Sequence, residues 1–269
     1  MRVVSPELEK MRIEATALML MEAHALGEQF VTFAKERGIK DVAAAYRVQE
    51  AYARRLMAAG NTQPAGFKIG LTTKKMQEMC GIETPVAGYV AANRIHASGV
   101  AIDARRHHHL GLEFEIAVKM ARDFPFRPYA YTQQEVSDGA LVAPGVELVD
   151  DRHADYSGLE ALSLIADNSW NAGIVLGAWQ EFTGDLAAVE GVVTCNGAEI
   201  GRGFGRDALG HPFVPLTWLT NFRAGTDRPL KKGDVVMTGS LIRTQFPTES
   251  CRYHYEVSGL GAVDVEVRF

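Results

Sequence analysis

Cysteine is scarce in this 269-residue chain: Cys80, Cys195 and Cys251 are the only three. They lie far apart and show no C-x-x-C spacing, so neither a zinc knuckle nor a disulfide framework is expected. Long hydrophobic runs are also missing. The most apolar N-terminal stretch, 15–26, is broken by Glu22 and His24. It falls short of the roughly 20 residues that span a bilayer, and it lacks a secretory cleavage site. It reads instead as an amphipathic helix burying Ala17, Leu18, Met21 and Ala25, with no membrane association. A broad basic face is absent too, because the net charge is −5 and the two signs are interspersed, so nucleic acid is not an expected partner. The densest basic cluster, Arg105, Arg106 and His107 to His109, reads as a solvated loop. The cysteine pattern makes a reducing cytoplasm the expected compartment, and the lack of repeats, low-complexity segments and long linkers gives no sign of separate domains.

What is present suits a large self-sufficient core, since 47% of the residues are hydrophobic. Residues to about Gly60 read as helices. The clearest runs from Asp41 to Ala59, with Asp41 capping its start, Gly60 ending it, and an apolar stripe of Val42, Ala45, Tyr46, Val48, Tyr52 and Leu56. From Phe67 onward the texture changes to short strands between glycines and prolines, with brief helices at Thr73 to Cys80 and Pro212 to Phe222. Hairpins are expected at Val192 to Ile200, turning on Asn196-Gly197, and at Tyr253 to Val267. The fold class is therefore α+β, a helical N-terminal region (1–62) on a mixed, mostly β catalytic part (63–269), with a soft boundary and one continuous unit overall.

In Leu112-Glu113-Phe114-Glu115-Ile116-Ala117-Val118, apolar residues alternate with two glutamates at the period of a half-buried strand, so both carboxylates share a face. An isolated E-x-E reads as an exposed acidic edge. Glu147 alters this, because it sits inside the apolar run Val146-Glu147-Leu148-Val149, where an unpartnered charge is costly. Metal ligation is one remedy, and three carboxylates without a nearby cysteine suit Mg²⁺ or Mn²⁺ more than zinc. Lys68, between apolar residues and glycines, reads either as an ordinary strand lysine or as one pointing into a site. Asp167-Asn168-Ser169 and Thr238-Gly239-Ser240 are polar clusters equally explicable as turn or capping chemistry. His211, before Pro212, reads as a helix-start residue as readily as a catalytic one.

In order, GFKIGLT (66–72), LEFE (112–115), VELVDDR (146–152), ADNSWNAG (166–173), LGHP (209–212) and KKGDVVMTGS (231–240) resemble the motifs of the 2-keto-4-pentenoate hydratase and 4-oxalocrotonate decarboxylase group. That group belongs to the fumarylacetoacetate hydrolase superfamily, and the resemblance runs from about Asp41 to the C-terminus. It implies a fumarylacetoacetate-hydrolase-like catalytic fold. The family's metal pattern, E-x-E and then a third acid some thirty residues on, maps onto Glu113, Glu115 and Glu147 (147 − 115 = 32). Its active-site lysine maps onto Lys68. Leu71, Thr72, Asp167, Asn168, Thr238, Gly239 and Ser240 fall in the matching motifs as expected substrate-binding residues.

The resemblance implies a metal-dependent lyase on small 2-hydroxydienoates or 2-oxoenoates, with the ion chelated by the substrate's C1 carboxylate and C2 oxygen and acting as Lewis acid on the enolate. Lys68 would hold the carboxylate or move protons. Hydration is favoured and decarboxylation is the alternative. A carbon–carbon bond hydrolase of the same superfamily ranks third, because only His24 lies upstream of Lys68 to serve as its lid histidine. A non-catalytic 2-oxo-acid-binding protein is a further rival. The chain departs from the hydratase pattern at Val86, where an acid is expected, at Gly111, where relatives often have arginine, and at the bulky Trp170. Arg152, Arg202, Arg206 and Arg243 are all candidates for a second substrate carboxylate. Relatives of this kind are homo-oligomers, so self-association is expected.

Overall fold

The computed structural model describes residues 5–269. Helix α1, Pro6–Leu26, starts where the Ser5 hydroxyl accepts from Leu8 N at 3.2 Å and stops at Gly27 in the left-handed conformation (φ 68°). Helix α2, Val42–Ala59, is capped by Asp41 through Ala44 N at 2.7 Å and ends at Gly60, as its sequence predicts. Of its expected stripe, Ala45, Tyr46, Val48 and Tyr52 are buried, whereas Val42 in the first turn is exposed. The expected stripe of α1 is out of phase. Thr16, Ala17, Leu20 and Ala23 are buried, while Leu18 is 46% exposed and Ala25 also faces outward. Helix α1 lies along α2, and the small Ala17 and Ala23 permit the closer approach, which turns Leu18 away. No helix among the described residues is long and apolar enough to cross a membrane.

The β part contains β1 (Pro64–Gly70), β2 (Val86–Ala91), β3 (Ile95–Ala97), β4 (Val100–Asp103), β5 (Leu110–Lys119), β6 (Leu141–Asp150), β7 (Asn171–Leu176), β8 (Glu190–Cys195), β9 (Ala198–Phe204), β10 (Val235–Ser240), β11 (Cys251–Val257) and β12 (Gly261–Arg268). Four short helices interrupt them: α3 (Lys74–Met79), α4 (Gln133–Ser137), α5 (Ala161–Ala166) and α6 (Phe213–Ala224). One sheet has the order β2-β1-β10-β5-β6-β7-β3 and the other β4-β12-β11-β8-β9. Both are mixed, with β1 parallel to β10, β3 to β7 and β4 to β12. The two predicted hairpins form as β8–β9 and β11–β12. The first turns on Asn196 (φ 50°) and Gly197 (φ 85°), the two positive φ values that a tight hairpin demands.

The larger sheet curls until β2 packs beside β7. On its convex face Leu112, Phe114 and Ile116 of β5 are wholly buried, with Phe114 meeting Tyr255 of β11 at 5.3 Å between ring centroids. Inside the curl, Val90, Ala117, Ile174, Val235 and Met237 form an apolar plug, and the three glutamates lie beyond it. Helix α2 is tied to this body by Gln49, whose Nε2 donates to Ala87 O (2.6 Å) and Ile165 O (2.7 Å), and by Tyr46, whose hydroxyl accepts from Ala87 N (3.0 Å).

One local expectation is corrected, and two readings gain detail. Cys195, at the end of β8, and Cys251, at the start of β11, are joined in a disulfide (Cα–Cα 6.1 Å), a pairing 56 residues apart that only strand neighbourhood reveals. The 105–109 segment is solvated, with Arg105, Arg106 and His108 exposed, and it is tethered where His108 N and His109 N both donate to the Asp150 carboxylate at 2.9 Å. Of the two readings of His211, the helix start is the one observed: its Nδ1 accepts from Phe213 N at 3.0 Å, at the head of α6.

Candidate metal centre and its cavity

Glu113 and Glu147 face each other directly across the β5–β6 ladder, and Glu115 lies two residues along β5 on the same face. Oxygens of all three carboxylates lie within 4.8 Å of one another. One oxygen of each accepts a hydrogen bond from a neighbour. Gly239 N donates to Glu115 Oε2 (2.7 Å), Asn171 Nδ2 to Glu147 Oε1 (3.0 Å) and Thr244 Oγ1 to Glu113 Oε1 (2.9 Å). Glu115 Oε1 and Glu147 Oε2 are buried and have no partner. Two buried, orphaned carboxylate oxygens within a cluster of three carboxylates are an arrangement a hard divalent cation fits. The site is thus shaped for an ion held by oxygen.

The curl of the sheet carries Lys68 of β1 to the same point. Its Nζ lies 3.1 Å from Glu147 Oε1 and donates to Ser169 O at 3.2 Å. Burial favours the neutral amine, but Glu147, Glu113 and Glu115 outweigh it and hold the ammonium above its ordinary range. Burial also pushes the Glu147 carboxyl up to about 7, aided by Glu113 and opposed by Lys68. Glu115 is pushed well above the usual carboxylate range, first by burial and then by Glu147 and Glu113. One lysine does not balance two buried acids and a half-buried third, and a bound cation would.

The carbonyl that receives Lys68 belongs to a strained turn. Asn168 (φ 53°), Ser169 (φ 48°) and Trp170 (φ 61°) are three consecutive non-glycine residues in left-handed conformation, each costing on the order of 1–2 kcal/mol. Asn168 clamps the turn to β2: its Oδ1 accepts from Tyr89 N (2.7 Å) and its Nδ2 donates to Tyr89 O (3.0 Å). A Cβ at Gly88 would lie 2.4 Å from Asn168 O, so the strand must be glycine there. Asp167, before the turn, is wholly buried between Arg152 Nη2 (2.5 Å) and His24 Nε2 (2.6 Å).

A cavity of about 350 Å³ opens beside Lys68 and Glu113, while Glu115 and Glu147 lie behind its wall. Of the sequence-predicted residues, Lys68, Leu71, Thr72, Glu113 and Ser240 line it. Asp167, Asn168, Thr238 and Gly239 stand behind the wall, engaged with Arg152 and His24, Tyr89, Ile116 O and Glu115 respectively. Val86 and Trp170, the two departures in the motifs, both line the cavity, joined by Met76, Tyr156, Leu159 and Leu164. The third departure, Gly111, has no room for a side chain, because a Cβ there would meet Val149, Phe246 and Thr244 at 2.7 to 3.0 Å. Of the four candidate arginines, Arg243 lines the cavity, Arg152 is spent on Asp167, Arg202 on Glu190 and Glu199, and Arg206 stacks on Phe204. Sequence reasoning missed Asn171, Thr244 and Tyr156. Asn171 lay within the quoted ADNSWNAG motif, whereas nothing local marks Thr244.

The whole architecture is that of the fumarylacetoacetate-hydrolase-like fold. The solved 4-oxalocrotonate decarboxylase of Pseudomonas putida G7, complexed with magnesium and adipate, superposes with a TM-score of 0.86 over 99% of this chain and 100% of that one, at 25% identity. No family model matches the sequence. Among curated proteins, 2-keto-4-pentenoate hydratase 2 of Dechloromonas aromatica (strain RCB) is 30% identical over 253 residues, 93% of this chain and 95% of that protein. A 4-oxalocrotonate decarboxylase of Pseudomonas putida is 27% identical over 221 residues, covering 81% and 83%. The chain belongs to the 2-keto-4-pentenoate hydratase and 4-oxalocrotonate decarboxylase family, a family of enzymes within the fumarylacetoacetate hydrolase superfamily.

Proposed function

We propose that the protein is a divalent-metal-dependent lyase acting on small 2-hydroxydienoates or 2-oxoenoates, with hydration of 2-keto-4-pentenoate-type substrates as its main reaction. The observation that carries this reading is the pair of buried orphaned oxygens on Glu115 and Glu147, clustered with Glu113 and Lys68, which line the cavity. Glu113, Glu115 and Glu147 would hold Mg²⁺ or Mn²⁺, which when bound supplies Lewis-acid stabilisation of negative charge at the substrate's carboxylate and 2-oxygen. Lys68, kept charged by the acids, attracts the substrate carboxylate and orients it above the floor. Leu71, Thr72 and Ser240 contact the bound acid, while Asp167, Asn168, Thr238 and Gly239 fix the walls that do so. Met76, Val86, Leu159, Leu164 and Trp170 give the substrate's carbon chain an apolar wall to pack against.

Decarboxylation of a 4-oxalocrotonate-type dicarboxylate is the second reading. Two observations favour it: Val86 handles no water, and Arg243, exposed where it lines the cavity, is placed to receive a second carboxylate. Incubation with 2-hydroxypenta-2,4-dienoate and, separately, 2-oxo-3-hexenedioate, following ultraviolet loss and carbon dioxide release before and after EDTA, decides between them. Turnover that survives complete metal removal refutes the central reading. The proposal includes self-association into a homo-oligomer, supported by the exposed Leu8, Met11, Leu18 and Leu26 along one face of α1; a monomer by light scattering refutes that part.

A further inference from the structure

The acids, Lys68 and the apolar wall leave one chemical need unmet, a group that can give a proton to carbon. Val86, on the strand beside Lys68, has none to give. Most hydroxyls that line the cavity are engaged locally: Ser240 donates to Ile242 O, Thr244 to Glu113, Ser169 faces Ala87 O, and Thr73 caps α3. Tyr156 differs. It lines the cavity with its ring edge-on to Trp170 (5.9 Å). Its hydroxyl donates to Asp151 Oδ2 at 2.9 Å.

Asp151 is wholly buried, and its Oδ1 lies 2.6 Å from His109 Nδ1. A backbone bond from His153 N (3.0 Å) fixes the carboxylate further. The His109 ring is stacked on Phe246 (4.4 Å) and on His153 (4.2 Å), while a third of its side chain (33%) meets solvent. A continuous hydrogen-bonded path therefore leads from water, through an imidazole and a buried carboxylate, to a phenol in the cavity wall.

We propose that Tyr156 is the catalytic acid that protonates the substrate carbon, and that Asp151 and His109 are positioning residues that resupply its proton. This rests on the lyase reading above. In ketonisation of 2-hydroxypenta-2,4-dienoate as its dienolate, the C2 oxygen pair re-forms the carbonyl, the double bond settles at C3–C4, and a C5–H bond forms as the Tyr156 O–H bond breaks. The tyrosinate regains a proton relayed through Asp151 and His109, one proton entering the imidazole from water as another leaves it. That uptake balances the enol proton released to solvent when the dienolate forms. Burial and then Asp151 hold the phenol above its ordinary range, which suits a group that donates to a strongly basic carbon and is promptly reprotonated.

The test compares wild type with Y156F, D151N and H109G, each checked for Mg²⁺ affinity and circular dichroism, on 2-hydroxypenta-2,4-dienoate. Y156F and D151N are expected to lower kcat by about 100-fold or more, with KM and Mg²⁺ affinity nearly unchanged. H109G is expected to lose about tenfold and to recover when free imidazole is added, which a purely structural role for His109 would not produce. Wild-type turnover matched by Y156F, or an H109G enzyme indifferent to imidazole, overturns the relay and leaves the lyase reading standing. Wild type that turns over neither the dienoate nor the oxohexenedioate overturns both.

Discussion

Raising the pH should strengthen Mg²⁺ binding steeply, because the acids that receive the ion carry protons in its absence. Glu147 is pushed up from 4.5 to about 7 by burial and Glu113 against Lys68, and Glu115 lies well above its usual range as well. Below pH 7 each ion bound must displace at least the Glu147 proton, so affinity rises about tenfold per pH unit, roughly 100-fold between pH 5 and 7, and more steeply if Glu115 also discharges. Stability carries the same linkage. A carboxyl whose folded pKa is raised contributes stability that is fully present below the unfolded value of 4.5 and lost as pH rises through 7. The loss amounts to about 2.5 units at 1.36 kcal/mol each, on the order of 3 kcal/mol. Metal-free protein should therefore weaken over that window, while saturating Mg²⁺ removes the penalty. Isothermal titration gives the affinity and proton release, and the gap between Mg²⁺-loaded and metal-free melting temperatures should widen by several degrees from pH 5 to 8. The difference cancels titrations elsewhere in the chain. An affinity flat across this range, with no proton release, refutes the reasoning.

Other substitutions test the remaining parts of the site. Glu115→Gln keeps an acceptor for Gly239 N but removes a ligand charge, so it should abolish the Mg²⁺-induced melting shift while the metal-free protein at pH 8 becomes no less stable; a retained shift would contradict the ligand assignment. Lys68→Met should cost about 100-fold or more in kcat, and near-normal kinetics would remove the lysine from the chemistry. Gly88→Ala places a methyl 2.4 Å from the Asn168 carbonyl, which must either displace the left-handed turn or cost more than about 2 kcal/mol; urea unfolding and turnover measured together would detect both, and a variant unchanged in each would show that the turn is not held there.

Much of the local structure was legible because its causes are local. Asp41 and Gly60 bound α2 through capping, Asn196-Gly197 supplies the positive φ values of a hairpin, and alternation around Glu113 and Glu115 assigns their shared face. The phase of α1 was not legible, since composition alone leaves Leu18 and Leu20 equivalent until α2 selects the side with the small residues. Asp167 and Asn168 illustrate the same limit. Their polarity was evident, but only the fold reveals that one is gripped by Arg152 and His24 and the other by Tyr89, leaving Ser169 and Trp170 to face the cavity.

The amino-acid order alone thus determined which strand holds the acid pair, because a two-residue repeat sends Glu113 and Glu115 to one side wherever that strand lies. It also determined that Glu147 sits in an apolar run, where a charge needs a partner. Tertiary structure alone decided who that partner is. Register across β5 and β6 sets Glu147 opposite Glu113, the curl of the sheet brings Lys68 from a strand three places away, and the strained turn supplies the carbonyl that holds it. Cross-strand register, sheet curvature and the disulfide between Cys195 and Cys251 all join residues far apart in sequence. No local pattern encodes such contacts, because they are chosen by the packing of the entire chain.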